Sequence, residues 1–371
     1  MTGEQAQEPL IPLPPVERAL QINLYAFDAF HAEFTVPHQL RVWADQVDRV
    51  LVTVDTGPVG ASRYQKPGFA DALDKLLADL KALETAHPKM VVDPVRYDDA
   101  AVQLAARTFF PDLGCARYPL AAFDGGPFHV YFYGLARCNA RFVLHMDGDM
   151  LFGGGSTTWM DEAIARLSQH HDALVAAPLS GPPTNAGDID ASRHSEFRGV
   201  SGIEGVGPVP LPQRLSSEPL LWSFATVSTR VFLLDMQRFC ERVRSLRMLR
   251  PPLTRRLRAL LLDQDPTAMP AEAVLTHNMV RLGLGRLELL GEEPGLFSIH
   301  PWDRTPAFIA ALPAIIRRIE ENDIPEGQRG DFDLGSAMFE GSPPRRTTPL
   351  RRAGRGLKLV VSANRRRFAR R

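Results

Sequence analysis

Along the chain, short apolar runs of strand length alternate with longer stretches whose apolar residues recur at helical spacing. After a Pro-rich opening, QINLYAF following Leu20 is apolar and aromatic and predicts a first strand. From about Pro37 a helix is expected, because proline suits a first turn and Leu40, Trp43 and Val47 mark one face. RVLVTVD, Arg49 to Asp55, is a β-branched run with almost no polar interruption, as in a strand buried on both faces of a parallel sheet. Leu73, Leu76, Leu77, Leu80 and Leu83 predict a helix, MVVDPV from Met90 a third strand, and DDAAVQLAARTF another helix. FHVYFYGLARCNA continues as a helix into RFVLHM, Arg141 to Met146, about the fourth strand. This alternation predicts an α/β class, an open, mostly parallel sheet flanked by helices. A helix (TWMDEAIARLSQHH) and a buried strand (DALVAAPL) follow. The Gly/Pro/Ser-rich stretch Ser180 to Ser217 is too long for an ordinary connection and predicts a mobile lid.

The fourth strand runs directly into HMDGDMLFGGG, His145 to Gly155. In open parallel sheets ligands bind beyond the carboxyl ends of the strands, which is where Asp147, Asp149 and, on an earlier strand, Asp55 fall. Residues i and i+2 of an extended chain point to one side, so Asp147 and Asp149 can converge on one cation, with Gly148 letting the chain turn closely beneath. Hard carboxylate oxygens suit Mg²⁺ or Mn²⁺ bridging to a phosphate. A bare D-x-D is weak evidence, since loops are rich in Asp and Gly; its placement after a buried strand strengthens it.

Composition narrows the class. With 371 residues, 44% of them hydrophobic and 23% charged, the chain can bury a sizeable core. Cys115, Cys138 and Cys240 are too few and too scattered for a disulfide framework or a cysteine zinc cluster, so a reducing compartment is expected. The N-terminus has acids where a signal peptide needs bases, and no apolar run approaches bilayer-spanning length. A cytoplasmic location is expected, peripheral at most to the inner face of a membrane. The zero net charge hides an asymmetry: Gly341 to Arg371 holds ten Arg, one Lys and no acid, leaving 0 − 11 = −11 on the rest. Such a tail could grip lipid headgroups or nucleic acid, or be a solvated extension; LKLVV and Phe368 among the arginines favour an anionic membrane, and no specific nucleic acid is expected. The expected organisation is a Pro-rich N-terminal extension over 1–18, one catalytic domain over 19–335 and a basic, partly disordered tail over 336–371.

The chain resembles the GT-A superfamily of nucleotide-sugar glycosyltransferases, most closely the family-two type. The resemblance rests on VLVTVDTG at Asp55, GLARCNARFVLHMDGDM, FATVSTRVFLLD, PAEAVLTHNMVRLGLG and SIHP at His300, together spanning roughly Gln21 to Arg304. It implies a GT-A (Rossmann-like) fold and transfer of a sugar from a nucleoside-diphosphate donor to an acceptor hydroxyl, with inversion. It implies that Asp55 holds the base or ribose, that Asp147 and Asp149 bind metal and donor diphosphate, and that His300 completes the metal shell. Leu275 and Gly283 align Glu272 with the family's catalytic Asp, making it the candidate general base; Ala271 stands where the family has the preceding Glu.

Each of these residues also has a plainer reading. Glu272 could merely favour the start of its helix, and His300 could be structural. Asp263 and Asp265 form a second D-x-D, the reserve candidates for the base, but follow an Arg/Leu-rich segment and suit a solvated loop. His170 and His171 read as helix-end cations, Gly153 to Gly155 as a donor-pocket element or a turn, and Trp222 as a sugar-stacking or a core aromatic. A catalytically silent nucleotide-sugar binding module is the alternative function. An aspartate-based phosphatase or phosphotransferase ranks behind, because its motif belongs on the first strand.

Overall fold

The computed structural model describes residues 10–57, 64, 66–194, 197, 206–262 and 264–341. In chain order its elements begin with β1 (Val16–Tyr25), α1 (Ala29–Trp43), β2 (Arg49–Asp55), α2 (Phe69–Ala86), β3 (Met90–Pro94), α3 (Asp99–Phe109), α4 (His129–Arg137) and β4 (Ala140–Asp147). There follow β5 (Leu151–Gly153), α5 (Trp159–Gln169), β6 (Ala173–Ser180), β7 (Gln213–Ser217), β8 (Leu220–Phe224), β9 (Val231–Asp235) and the single turn α6 (Met236–Arg238). The last are α7 (Leu253–Leu261), α8 (Ala271–Leu282), β10 (Gly285–Leu289), β11 (Phe297–Ile299) and α9 (Pro306–Glu320).

The strands form one sheet in the order β3-β2-β1-β4-β9-β6-β10-β8-β7, with β11 branching from β6 and β5 pairing with β11. Only β9 and β8 run against the other strands of that path, so the sheet is mostly parallel, as the alternating pattern predicts. Chain order reverses at β1, with β2 on one side and β4 on the other, both parallel to it. A crevice opens at such a reversal.

Side-chain alternation sorts the sheet into two cores. Leu20, Ile22 and Leu24 of β1 join Val50, Val52 and Val54 of β2 and Leu144 and Met146 of β4 beneath α1, α2 and α5. The opposite face packs on α3, α4 and α8, while α9 closes a third cluster over β5 and β11. On that opposite face β1 and its neighbours carry polar residues that satisfy one another. Gln21 donates to Thr53 Oγ1 at 2.6 Å, Thr53 donates to Asn23 Oδ1 at 3.1 Å, and Gln21 Oε1 meets His145 Nδ1. Buried polar groups tolerate such a place only when paired in this way.

Several expectations shift. The first strand begins at Val16, inside the expected 1–18 extension. The first helix begins at Ala29 rather than Pro37, which lies inside it. The expected lid is not one free segment: Gly181 donates to Ser298 O and Gly330 to Pro182 O, pinning its start, and β7 forms its end. Residues 198–205 of that stretch lie outside the described residues, as do 342–371 of the basic tail. Among the described residues no helix is long and apolar enough to cross a membrane.

Burial lowers the pKa of several histidines, furthest for His129 of α4, to about 4, and His145 of β4, to about 3, against 6.5 in the open chain. The unfolded chain therefore takes up protons that the folded chain refuses. Their contribution to stability is complete above pH 6.5 and is lost as the pH falls toward 4 and then 3. Urea denaturation between pH 7 and 4.5 should show stability declining, with on the order of two protons taken up on unfolding near pH 5 by this route. Asp147, whose folded-state carboxyl is raised to about 7, opposes this by about one proton, so the comparison is made in the Asp147→Asn background, where stability flat or rising over that range would contradict the burial of the two rings as neutral.

Candidate active site

The crevice at the β1/β4 reversal holds about 340 Å³ and is lined by Tyr25, Asp28, Asp55, Tyr131, Asp147, Asp149, Thr229, Arg230 and Glu272, among others. Strand register explains why. Tyr25 of β1 lies level with Asp55 of β2, and Asn23 of β1 level with Asp147 of β4. Asp55 and Asp147 therefore sit near the same end of the sheet, two strands across and two residues along, on the order of 10 Å apart.

The Asp147–Gly148–Asp149 turn is held from below by polar residues of α1. Thr35 donates to Gly148 O at 2.6 Å, and Gln39 donates to Asp147 O at 3.2 Å and Met150 O at 2.9 Å. Gly148 N donates to Asn23 O at 2.9 Å. A Cβ on Gly148 would lie 2.1 Å from Leu24 Cδ2 and 3.2 Å from Asn23 O, so close approach to β1 is what demands glycine here.

The two carboxylates have different surroundings. Asp147 accepts from the Tyr131 hydroxyl at 3.1 Å on Oδ1 and from Arg230 Nη1 at 2.9 Å on Oδ2. Burial pushes its carboxyl up to about 7; Arg230 opposes the rise and Asp149 adds to it. Asp149 is also buried, which alone would raise it, but His300, Arg304 and Arg230 together hold it below the ordinary carboxylate range. Its Oδ2 accepts from Arg304 Nη2 and lies 3.8 Å from His300 Nε2. Its Oδ1 is buried and has no hydrogen-bond partner among the described residues. His300 is oriented from behind: Nδ1 lies 2.9 Å from Asp333 Oδ1, and the ring stacks on Phe332. A carboxylate on Nδ1 fixes the orientation of the ring, the usual arrangement behind a metal-ligating histidine.

Asp55 is anchored by Tyr97, which donates to Oδ1 at 2.5 Å, by Tyr64, which donates to Oδ2 at 2.9 Å, and by the Gly57 amide at 3.1 Å. Tyr64 also packs edge-on against Tyr25 and Phe69, giving this end of the crevice an aromatic wall. Glu272, in the first turn of α8, accepts from the Thr229 amide at 3.3 Å, next to the arginine that holds Asp147. Thus Asp55, Asp147, Asp149 and Glu272 come together in one cleft, with His300 against Asp149.

Other candidates fall elsewhere. Asp265 accepts from the amide and hydroxyl of Thr267 in an exposed turn, and Asp263 lies outside the described residues. Trp222 donates to Asp188 Oδ1 at 3.1 Å and packs on Phe197, away from the cleft lining. Gly153 abuts Phe297 and the Ile319 carbonyl, and Gly154 takes a left-handed φ against Gly295, so these glycines serve packing and a turn. His170 follows the last turn of α5. Tyr64, Tyr97, Tyr131, Thr229, Arg230 and Arg304 were not singled out by sequence; isolated arginines and tyrosines carry no local signal of what they will meet.

Among the described residues no group of three or more His, Cys, Asp or Glu gathers closely enough to hold a metal ion. Asp149, whose Oδ1 has no hydrogen-bond partner among the described residues, with His300 Nε2 3.8 Å from its Oδ2, fits Mg²⁺ or Mn²⁺, which are held by few protein ligands plus phosphate oxygens. Asp147 fits less well, since both of its oxygens are already engaged.

Gly148→Ala should cost about 1–3 kcal/mol of stability, the usual range for overpacking a tight site. Urea denaturation measures it; a cost below about 0.5 kcal/mol would mean that the turn relaxes freely.

No protein-family profile matches the chain, and no curated protein matches it. Among solved structures it is similar to TarS 1–349 of S. aureus in complex with UDP-GlcNAc, at 11% identity and a TM-score of 0.36, covering 84% of this chain and 69% of that one. It is also similar to the galactosyltransferase LgtC in complex with donor and acceptor sugar analogues, at 10% identity and a TM-score of 0.33, covering 71% of each chain. A further similar structure is the bifunctional glycosyltransferase WbbM, at 9% identity and a TM-score of 0.32, covering 73% of this chain and 39% of that one. These likenesses are distant, and the function proposed below stands on the residues of the cleft.

Proposed function

We propose that the chain is a glycosyltransferase that moves a sugar from a nucleoside-diphosphate donor to an acceptor hydroxyl in this cleft, with inversion. The observation that carries this reading is the meeting, at the reversal point of the sheet, of Asp55 at one end and the Asp147–Asp149 turn with two arginines at the other. A separation of about 10 Å suits a nucleoside at one end and its diphosphate at the other.

In this reading Asp55 accepts hydrogen bonds from the base or ribose while the Tyr25 and Tyr64 wall packs on it. Arg230 and Arg304, which now neutralise Asp147 and Asp149, turn part of their donor capacity to the diphosphate. Asp149 and His300 would hold Mg²⁺ or Mn²⁺, and the chemistry supplied there is stabilisation of charge on the departing diphosphate. The bond from the anomeric carbon to the β-phosphate oxygen breaks and its electron pair leaves with the nucleoside diphosphate. The acceptor oxygen forms the new bond from the opposite face, and Glu272 takes its proton. The acceptor is a glycan, a lipid-linked sugar or a small molecule. Peripheral contact of the basic C-terminal segment with an anionic membrane remains part of this reading.

Thermal unfolding in the presence of a panel of nucleoside-diphosphate sugars, with and without Mn²⁺, tests the class. Stabilisation by one donor, larger with Mn²⁺, is expected; no shift with any donor would remove the proposal. Asp149→Ala should abolish the Mn²⁺-dependent part of nucleoside-diphosphate affinity in isothermal titration, and unchanged affinity would take the metal from Asp149. Glu272→Gln should keep donor binding while turnover falls by ~10²-fold or more. Activity within a few-fold of wild type would exclude Glu272 as base. A wild-type chain that binds donor but turns none over with any acceptor would instead favour the silent binding module.

A further inference from the structure

Helix α7, LTRRLRALL, is built the wrong way round for a helix that belongs to the core. Among the described residues its one buried side chain is Ala259, whereas Leu253, Leu257, Leu260 and Leu261 are 67%, 53%, 56% and 52% exposed. At 100° per residue these leucines fall within a 100° arc on the outer side. Arg256 flanks that arc on one edge and Arg258 on the other, both exposed. From Arg250 to Leu262 there are four arginines and no acid.

The helix stands beside the mouth of the cleft. Arg255 lies over the Phe123 ring at 5.9 Å, the Phe123 amide donates to Ala268 O at 2.8 Å, and Gln264 donates to Asp124 O at 3.2 Å. The same loop reaches Pro127, which lines the cleft, and the chain leaving α7 leads to α8 and Glu272.

We propose that α7 docks the protein onto an anionic lipid surface, its leucines entering the boundary between headgroups and acyl chains while Arg256 and Arg258 pair with lipid phosphates. An apolar stripe edged by arginines is the composition of a helix that lies in such an interface. Two other occupants fit less well. The leucines together expose roughly 400 Å², so two copies meeting here would bury roughly 800 Å², short of the ~1,200 Å² of a stable interface. The segment from Gly341 to Arg371, with ten Arg, one Lys and no acid, is repelled by the arginines of α7. The proposal goes beyond sugar transfer and does not depend on it, although it would bring the cleft to a membrane-borne acceptor.

The test uses the full chain and vesicles of phosphatidylglycerol mixed with phosphatidylcholine. Wild type should sediment with them, and Leu257→Glu combined with Leu261→Glu should weaken that binding by about tenfold or more without changing the melting temperature. Because the basic C-terminal segment could bind vesicles by itself, Leu257→Trp supplies a separate reading. Its added fluorescence should be quenched by lipids brominated in the acyl chains, which a segment bound elsewhere would not cause. Equal sedimentation of the double variant, no sedimentation of wild type, or no quenching of the added tryptophan would each overturn the proposal. So would a lipid-free dimer that the double variant makes monomeric, because the leucine face would then belong to a second copy. Since vesicle binding is read without donor, its failure leaves the transferase reading standing, and the reverse holds for the donor experiments.

Discussion

Two carboxylates two residues apart, Asp149 buried and Asp147 largely so, set the terms for this structure. Taking a carboxylate out of water costs several kcal/mol unless it is paired and hydrogen-bonded, and a second one beside it adds repulsion. The fold answers with countercharge from distant parts of the chain. Arg230 comes from the segment before β9, and Arg304 from the segment before α9. The antiparallel insertion of β9 beside β4 and the seating of α9 over β5 thus do more than extend the sheet; they deliver a cation to each aspartate. The remaining lone pairs are met by Tyr131 on Asp147, while one oxygen of Asp149 stays unpaired among the described residues. An unpaired buried carboxylate oxygen on a residue that lines the cleft, with a carboxylate-backed histidine alongside, is stored capacity for a ligand.

That capacity differs between the two residues. Asp147, raised by burial and bound on both oxygens, acts as an anchor for Arg230. Asp149, held below the ordinary carboxylate range by His300, Arg304 and Arg230, is the one to which the proposed function gives the cation. In the proposed function an incoming diphosphate would compete with the carboxylates for the same two guanidinium groups, so that donor binding and reorganisation of the ion pairs would be a single event. Beneath them the turn has little freedom, because Thr35, Gln39 and Asn23 all hold its backbone.

Much of this was legible in sequence wherever the physics was local. Uninterrupted β-branched residues marked β2 to its final residue, Asp55, and the apolar run before His145 placed the aspartate pair at a strand end. Glu272 was read at the start of a helix, and α8 begins at Ala271, one residue before it, and ends at Gly283 in the left-handed conformation. The first half of α1 was not legible, since its inward face carries His31, Thr35 and Gln39, whose polarity hides the apolar period. Those residues are polar because they face the turn that they support. Nor could sequence show that β9 runs antiparallel, or which arginine meets which aspartate. Register and long-range pairing depend on the assembled sheet, so sequence left Trp222 open between a sugar-stacking and a core aromatic; it packs on Phe197 and donates to Asp188.

The central claim is that the cleft at the β1/β4 reversal is a nucleoside-diphosphate site whose arginines turn from the aspartates to the ligand. A crystal structure with UDP and Mn²⁺ tests it most directly. The account predicts the nucleoside against Asp55 and the tyrosine wall, the diphosphate on Arg230 and Arg304, and the metal on Asp149 and His300. A nucleotide bound elsewhere, or one in the cleft with both arginines still on their aspartates and no metal beside Asp149, would contradict it.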